Sequence, residues 1–180
     1  MSDYIGPAPT SPQRTNSMDK SGIVAFGFTC MPISPAECEI SEKAGTLAQR
    51  YMAPVYTQVG VPIIAAGVAV SLIDQGENDP PPPTLRICRG AVAWATARQI
   101  DVLRVVCARP HRWRIKRDLQ YAIREAGSDI KFRICNGDIW YWKWFYRGST
   151  LWYTRGPLRW HLRDTILRLM PFRLYRRIAS

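Results

Sequence analysis

Apolar residues fall into short blocks, and the blocks have two different periods. Residues 21–28, SGIVAFGF, form an apolar run with a glycine near its end, which predicts a buried strand. Residues 35–51 carry Ile40, Ala44, Leu47, Ala48 and Tyr51 on one helical face. Ser34 suits the N-cap of that helix, Pro35 its first position, and Glu37 stands in capping-box register. Residues 54–60 predict a second strand and residues 68–73 a third. Residues 62–66 suit either a strand or one helical turn. Four consecutive prolines then make a stiff connector within residues 74–84.

The clearest unit spans residues 84–127. Ile87, Ala91, Trp94, Ala95 and the stem of Arg98 recur at helical spacing, with Thr84 placed to cap. Val102 to Cys107 has the length and branching of a buried strand, and Pro110 ends it. Trp113, Leu119, Ala122 and Ile123 mark a second helix that closes at Gly127, a natural C′ residue. A fifth strand follows at residues 130–135.

The remainder is rich in aromatic residues. Trp140, Tyr141, Trp142, Trp144, Phe145 and Tyr146 lie close together, interleaved with Lys143 and Arg147. They suit a stacking platform for bases or, preferably, one face packed on the domain through Trp140, Trp142 and Trp144. Pro157 opens a last helix over residues 157–178. Its stripe of Leu158, Leu162, Ile166 and Leu169 faces away from Arg159, Arg163 and Arg168. That stripe suits packing on the sheet, beside Trp152 and Trp160, better than contact with an anionic membrane surface.

Strands alternating with helices predict a three-layer, Rossmann-like α/β domain over residues 21–180, with about five mostly parallel strands. The first and fourth strands should be central neighbours, with a crevice between their carboxyl ends. Residues 1–20, rich in Pro, Ser and Thr, read as a disordered tail.

Composition narrows the class. No apolar run reaches the length of a spanning helix, and no signal-peptide pattern opens the chain, which points to the cytoplasm. The five cysteines make no CxxC pair, so reduced thiols are expected and no metal site. Residues 1–80 hold 4 Lys/Arg and 8 Asp/Glu, whereas residues 81–180 hold 21 and 6. The second half is therefore strongly basic and suits an anionic partner.

Candidate chemistry gathers at the strand ends. His111, among Arg109, Arg112 and Arg114, suits anion binding or acid–base work, and nearby cations favour its neutral form. The loop after the first strand, with Gly27, Phe28, Thr29 and Cys30, supplies the opposite wall, and Thr84 and Arg114 complete the expected ligand set. The loop is neither GxGxxG nor a P-loop. Asp74 and Glu77 also lie on the carboxyl side of a strand and read as solvated.

Thr84 opening a helix, the strand Leu103 to Cys107, His111-Arg112-Trp113-Arg114 and Ala126-Gly127 together form a recognisable order. It resembles the bacterial family of proteins of unknown function that contains SanA, ElyC and YdcF, whose corresponding motif is His-x-x-Arg. The ending PLRWHLRDTILRLMPFRLYRR is similar to that family's last helix. Where the family has a Gly-Gly pair after its first strand, this chain has Gly27-Phe28. The resemblance implies a Rossmann-like fold with a pocket at the strand ends, an envelope-related role, and S-adenosylmethionine as a candidate cofactor. Three functions are therefore expected in order: a pocket for a small anionic or nucleotide-like ligand, nucleic-acid binding, and docking on a partner or an anionic membrane through residues 157–178. No reaction is assigned.

Overall fold

Five short segments pair into one sheet, whose central strands are apolar on both faces and must be covered twice. The structure, a computed structural model, describes residues 19–29, 34–73, 82–136 and 140–178. The expected tail up to residue 18, Cys30 with the rest of its loop, and the segment holding Asp74, Glu77 and the first prolines lie outside the described residues. The strands are β1 (Ser21–Ala25), β2 (Val55–Thr57), β3 (Val70–Leu72), β4 (Val102–Cys107) and β5 (Lys131–Asn136). The helices are α1 (Pro35–Tyr51), α2 (Thr84–Ala97), α3 (Arg112–Glu125), α4 (Pro157–Leu169) and α5 (Phe172–Ile178).

All pairings are parallel, in the order β3-β2-β1-β4-β5. β1 and β4 are the central neighbours, as the sequence implied. Alternate residues cover opposite layers. Val24, Leu103, Val105 and Cys107 pack under α2 and α3. Ile23, Ala25, Val55 and Val106 pack under α1, together with Trp144 and Trp160. The fold is a three-layer α/β domain. The step from β2 to β3 has no helix; the loop between them packs Val61 into the α1 layer.

Local signals explain most boundaries. Ser34 is the N-cap of α1 and accepts from Glu37 N. Gly127, at φ +58, closes α3 in the left-handed region that a side chain disfavours. Thr84 is not the cap of α2: Pro83 is, and Thr84 starts the helix itself. Pro171 divides the expected last helix, so α4 ends at Leu169 and α5 begins at Phe172. Lys20, the last residue of the expected tail, is fixed to the amino-terminal sheet edge, donating from its backbone N to Asp101 Oδ2 at 2.8 Å.

Burial pushes the Cys88 thiol up and that of Cys107 to about 12, so neither is a thiolate at neutral pH. Cys38 is exposed and Cys135 half-buried. Iodoacetamide should therefore label Cys38 and Cys135 in the native protein, and Cys88 and Cys107 only after denaturation. Peptide mass spectrometry reads the order; native labelling of Cys107 would contradict the buried position of β4.

Candidate functional site

The site begins where β1 runs out. Phe26 N still bonds Val106 O at 2.9 Å, but the next residues turn from the sheet. Glu37, on the first turn of α1 and fully buried, holds them. Its Oε1 accepts from Phe28 N at 2.7 Å and Thr29 N at 2.8 Å, and its Oε2 from the hydroxyls of Thr29 and Ser34. This is why the strand stops at Ala25, three residues short of the expected end. Thr29 is thus part of a clamp and does not line the cavity. The clamp aims Phe28 at the crevice. Gly27 has no side chain to block it: a Cβ there would sit 2.0 Å from Gln58 Nε2.

Across the switch point, the turn Arg109–His111 ends β4 and starts α3. It carries His111 beneath the start of α2, with Thr84 Oγ1 and His111 Nε2 3.1 Å apart. His111 Nδ1 is buried and has no hydrogen-bond partner among the described residues. Burial, then the positive Arg114 and Arg163, hold this imidazole well below its ordinary pKa, so it is neutral. One turn into α3, Arg114 is buried and donates from Nη2 to Asp164 Oδ1 of α4 at 3.0 Å. His111 and Arg114 both point into the crevice, as expected, and both are buried beneath it.

Two guanidiniums share this space. Arg163, beside Asp164 on α4, lies 3.9 Å over the Tyr153 ring. Its pKa is lowered by burial and by Arg114. Arg163 Nη1 and Arg114 Nε are both buried without hydrogen-bond partners among the described residues. The carboxylate near them, Asp164, also pairs with Arg168 Nη2 at 2.8 Å. Positive charge is therefore in excess.

These groups line a cavity of about 190 Å³ with Gly27, Phe28, Gln58, Thr84, Tyr153 and Trp160. Five of the seven residues expected from sequence, Gly27, Phe28, Thr84, His111 and Arg114, meet there. Thr29 lies behind the wall, and Cys30 falls outside the described residues. Phe28 and Trp160 lie 4.6 Å apart with their rings tilted by 52°, and both line the cavity. Sequence reasoning missed Gln58, Tyr153, Arg163 and Asp164. One signal existed: Asp164 is the single acidic residue after Asp138 and lies next to Arg163.

Chemically, the cavity interleaves cations and an imidazole with aromatic rings: Arg114 lies 5.0 Å over Trp160, Arg163 lies 3.9 Å over Tyr153, and His111 meets Trp160 edge-on at 5.5 Å. A hydroxyl beside an imidazole, as in Thr84 and His111, is an arrangement that can activate an oxygen nucleophile, but no carboxylate stands behind Nδ1 among the described residues.

The depressed pKa of His111 gives a pH signature. The folded state resists protonation that the unfolded chain accepts near pH 6.5, so stability is complete above that value and falls as pH drops through it. Stability should therefore fall between pH 7.5 and 5.5 on account of this group. A His111→Gln variant should show a flatter urea-midpoint profile over the same window. Parallel profiles for the two proteins would show that His111 does not titrate in this way.

The fold and the crevice define a Rossmann-like α/β domain with a basic pocket at its switch point. No family model matches this chain, and no curated protein matches it.

Proposed function

We propose that the crevice binds a small molecule through an anionic group, a phosphate or a carboxylate, with its remainder against Phe28, Tyr153 and Trp160. The observation that carries this reading is a pair of unsatisfied cationic nitrogens: Asp164 is already paired with Arg114 Nη2 and Arg168 Nη2, while Arg114 Nε and Arg163 Nη1 are buried without hydrogen-bond partners among the described residues. Buried cationic nitrogens without partners are costly, and a bound anion offsets that cost. Neutral His111 adds a hydrogen bond without adding charge. At about 190 Å³ the enclosed part is small beside the several hundred Å³ of a drug-sized site, which suits a compact anionic head with the rest of the ligand toward the opening. The resemblance of residues 84–127 to the SanA, ElyC and YdcF family supports a pocket at this edge and belongs to the same proposal, as does S-adenosylmethionine among the ligands to try.

Thermal melts with inorganic phosphate, nucleoside monophosphates, sugar phosphates and S-adenosylmethionine test the reading. A ligand at a hundred times its Kd adds about 2.7 kcal/mol, or roughly 5–10 °C for a domain of this size. Arg163→Gln should remove the shift while leaving the unliganded melt nearly in place. If no anion shifts the wild type, or if Arg163→Gln shifts as far as the wild type does, the reading fails.

A further inference from the structure

We infer that the outer face of α4 docks on an anionic lipid surface. The inference is independent of what fills the cavity and rests on which side of α4 faces the core. Trp160 and Leu167 are buried, but Leu158, Leu162, Ile166 and Leu169 are 82%, 61%, 54% and 80% exposed. The expected packing of this stripe on the sheet is thus reversed: the helix sets Asp164 and part of Arg163 inward and its leucines outward. A single exposed leucine is ordinary. Four in a row, over about 16 Å of helix at 1.5 Å per residue, make a continuous apolar strip.

The surroundings fix what covers it. Residues 140–178 contain nine Lys/Arg and one acid, Asp164, which is buried. Arg159 and Arg168 therefore border the strip with no exposed carboxylate from this segment. Tyr141 stacks on His161 of α4 at 6.1 Å, and the exposed Trp142 lies edge-on to Tyr141 at 5.7 Å. An apolar row, a basic border and an exposed indole suit the boundary between acyl chains and anionic headgroups. A second copy of the same face would set cations against cations, which disfavours self-association. No described helix is long and apolar enough to cross a membrane, so the contact is with the surface.

The full chain is sedimented with vesicles of phosphatidylcholine alone and of a two-to-one mixture with phosphatidylglycerol. Binding is expected to the mixture, at least about tenfold weaker to phosphatidylcholine, and falling as salt rises. The double variant Leu162→Asp, Ile166→Asp should lose about tenfold or more in binding with an unchanged melting temperature. The inference is overturned if the wild type does not bind the mixture, binds both vesicles equally, or elutes as a dimer that the variant dissolves. It is equally overturned if the variant binds as the wild type does, or if its melt drops by several degrees, since the strip would then be packed.

Discussion

Replacing Asp164 with alanine should destabilise the protein by about 3–5 kcal/mol, the usual cost of removing one partner from a buried ion pair. The side chains of Asp164 and Arg114 are 4% and 5% exposed. Without the carboxylate, Arg114 and Arg163 would face each other with only the more distant Asp118 as counter-charge among the described residues. The link between α3 and α4 would go with it. Urea unfolding at pH 7 reads the loss. The double variant Asp164→Ala, Arg114→Met should recover much of it, because it removes the stranded charge and fills the volume with apolar atoms. A single-variant loss below about 1 kcal/mol would show that the pair is open to water.

Glu37→Ala comes next. This one carboxylate receives two backbone N–H groups and two hydroxyls within the buried loop after β1. Each buried donor left without a partner costs about 1–3 kcal/mol, so the two amides alone give a loss on the order of 4 kcal/mol. Glu37→Gln should retain more than half of the stability, since its carbonyl can serve the amides of Phe28 and Thr29 while its NH2 donates to the hydroxyls. The wall of the cavity moves with this loop, so Glu37→Ala should also lose any anion-induced thermal shift. Urea midpoints for the alanine and glutamine variants that coincide would show that the acceptor geometry is irrelevant.

Parallel strands covered on both sides are continuous apolar runs, and β1 and β4 were visible in the sequence for that reason. Ser34, Pro35 and Gly127 marked helix ends through local backbone chemistry, which needs no tertiary context. The gathering of Gly27, Phe28, Thr84, His111 and Arg114 followed from topology alone, because the chain direction at a switch point brings those loops together. The orientation of α4 was not legible. It has two apolar sets, one through Leu158 and Leu162, the other through Trp160 and Leu167, and periodicity cannot say which faces inward. The choice is made by Asp164 meeting Arg114, fifty positions away. The alternation of Trp140, Trp142 and Trp144 misled in a similar way. The segment is a 3-10 turn, not a strand, so Trp144 enters the core while Trp140 and Trp142 remain in water. Gln58 and Tyr153 had no local signal, since only the completed fold brings their loops to the crevice.

The inverted set of α4 also bears on how firmly the helix is held. The helix covers the pocket with Trp160, Arg163 and Leu167, yet four of its five Leu and Ile side chains already touch water. Detaching it exposes Trp160, Leu167 and the rings packed on Trp160, and the ion pair it gives up is rehydrated as it leaves. Release of α4 is therefore expected to cost less than opening the central strands β1 and β4, which are buried on both faces. Amide protons of residues 157–169 would exchange through this partial opening while those of β1 and β4 wait for full unfolding.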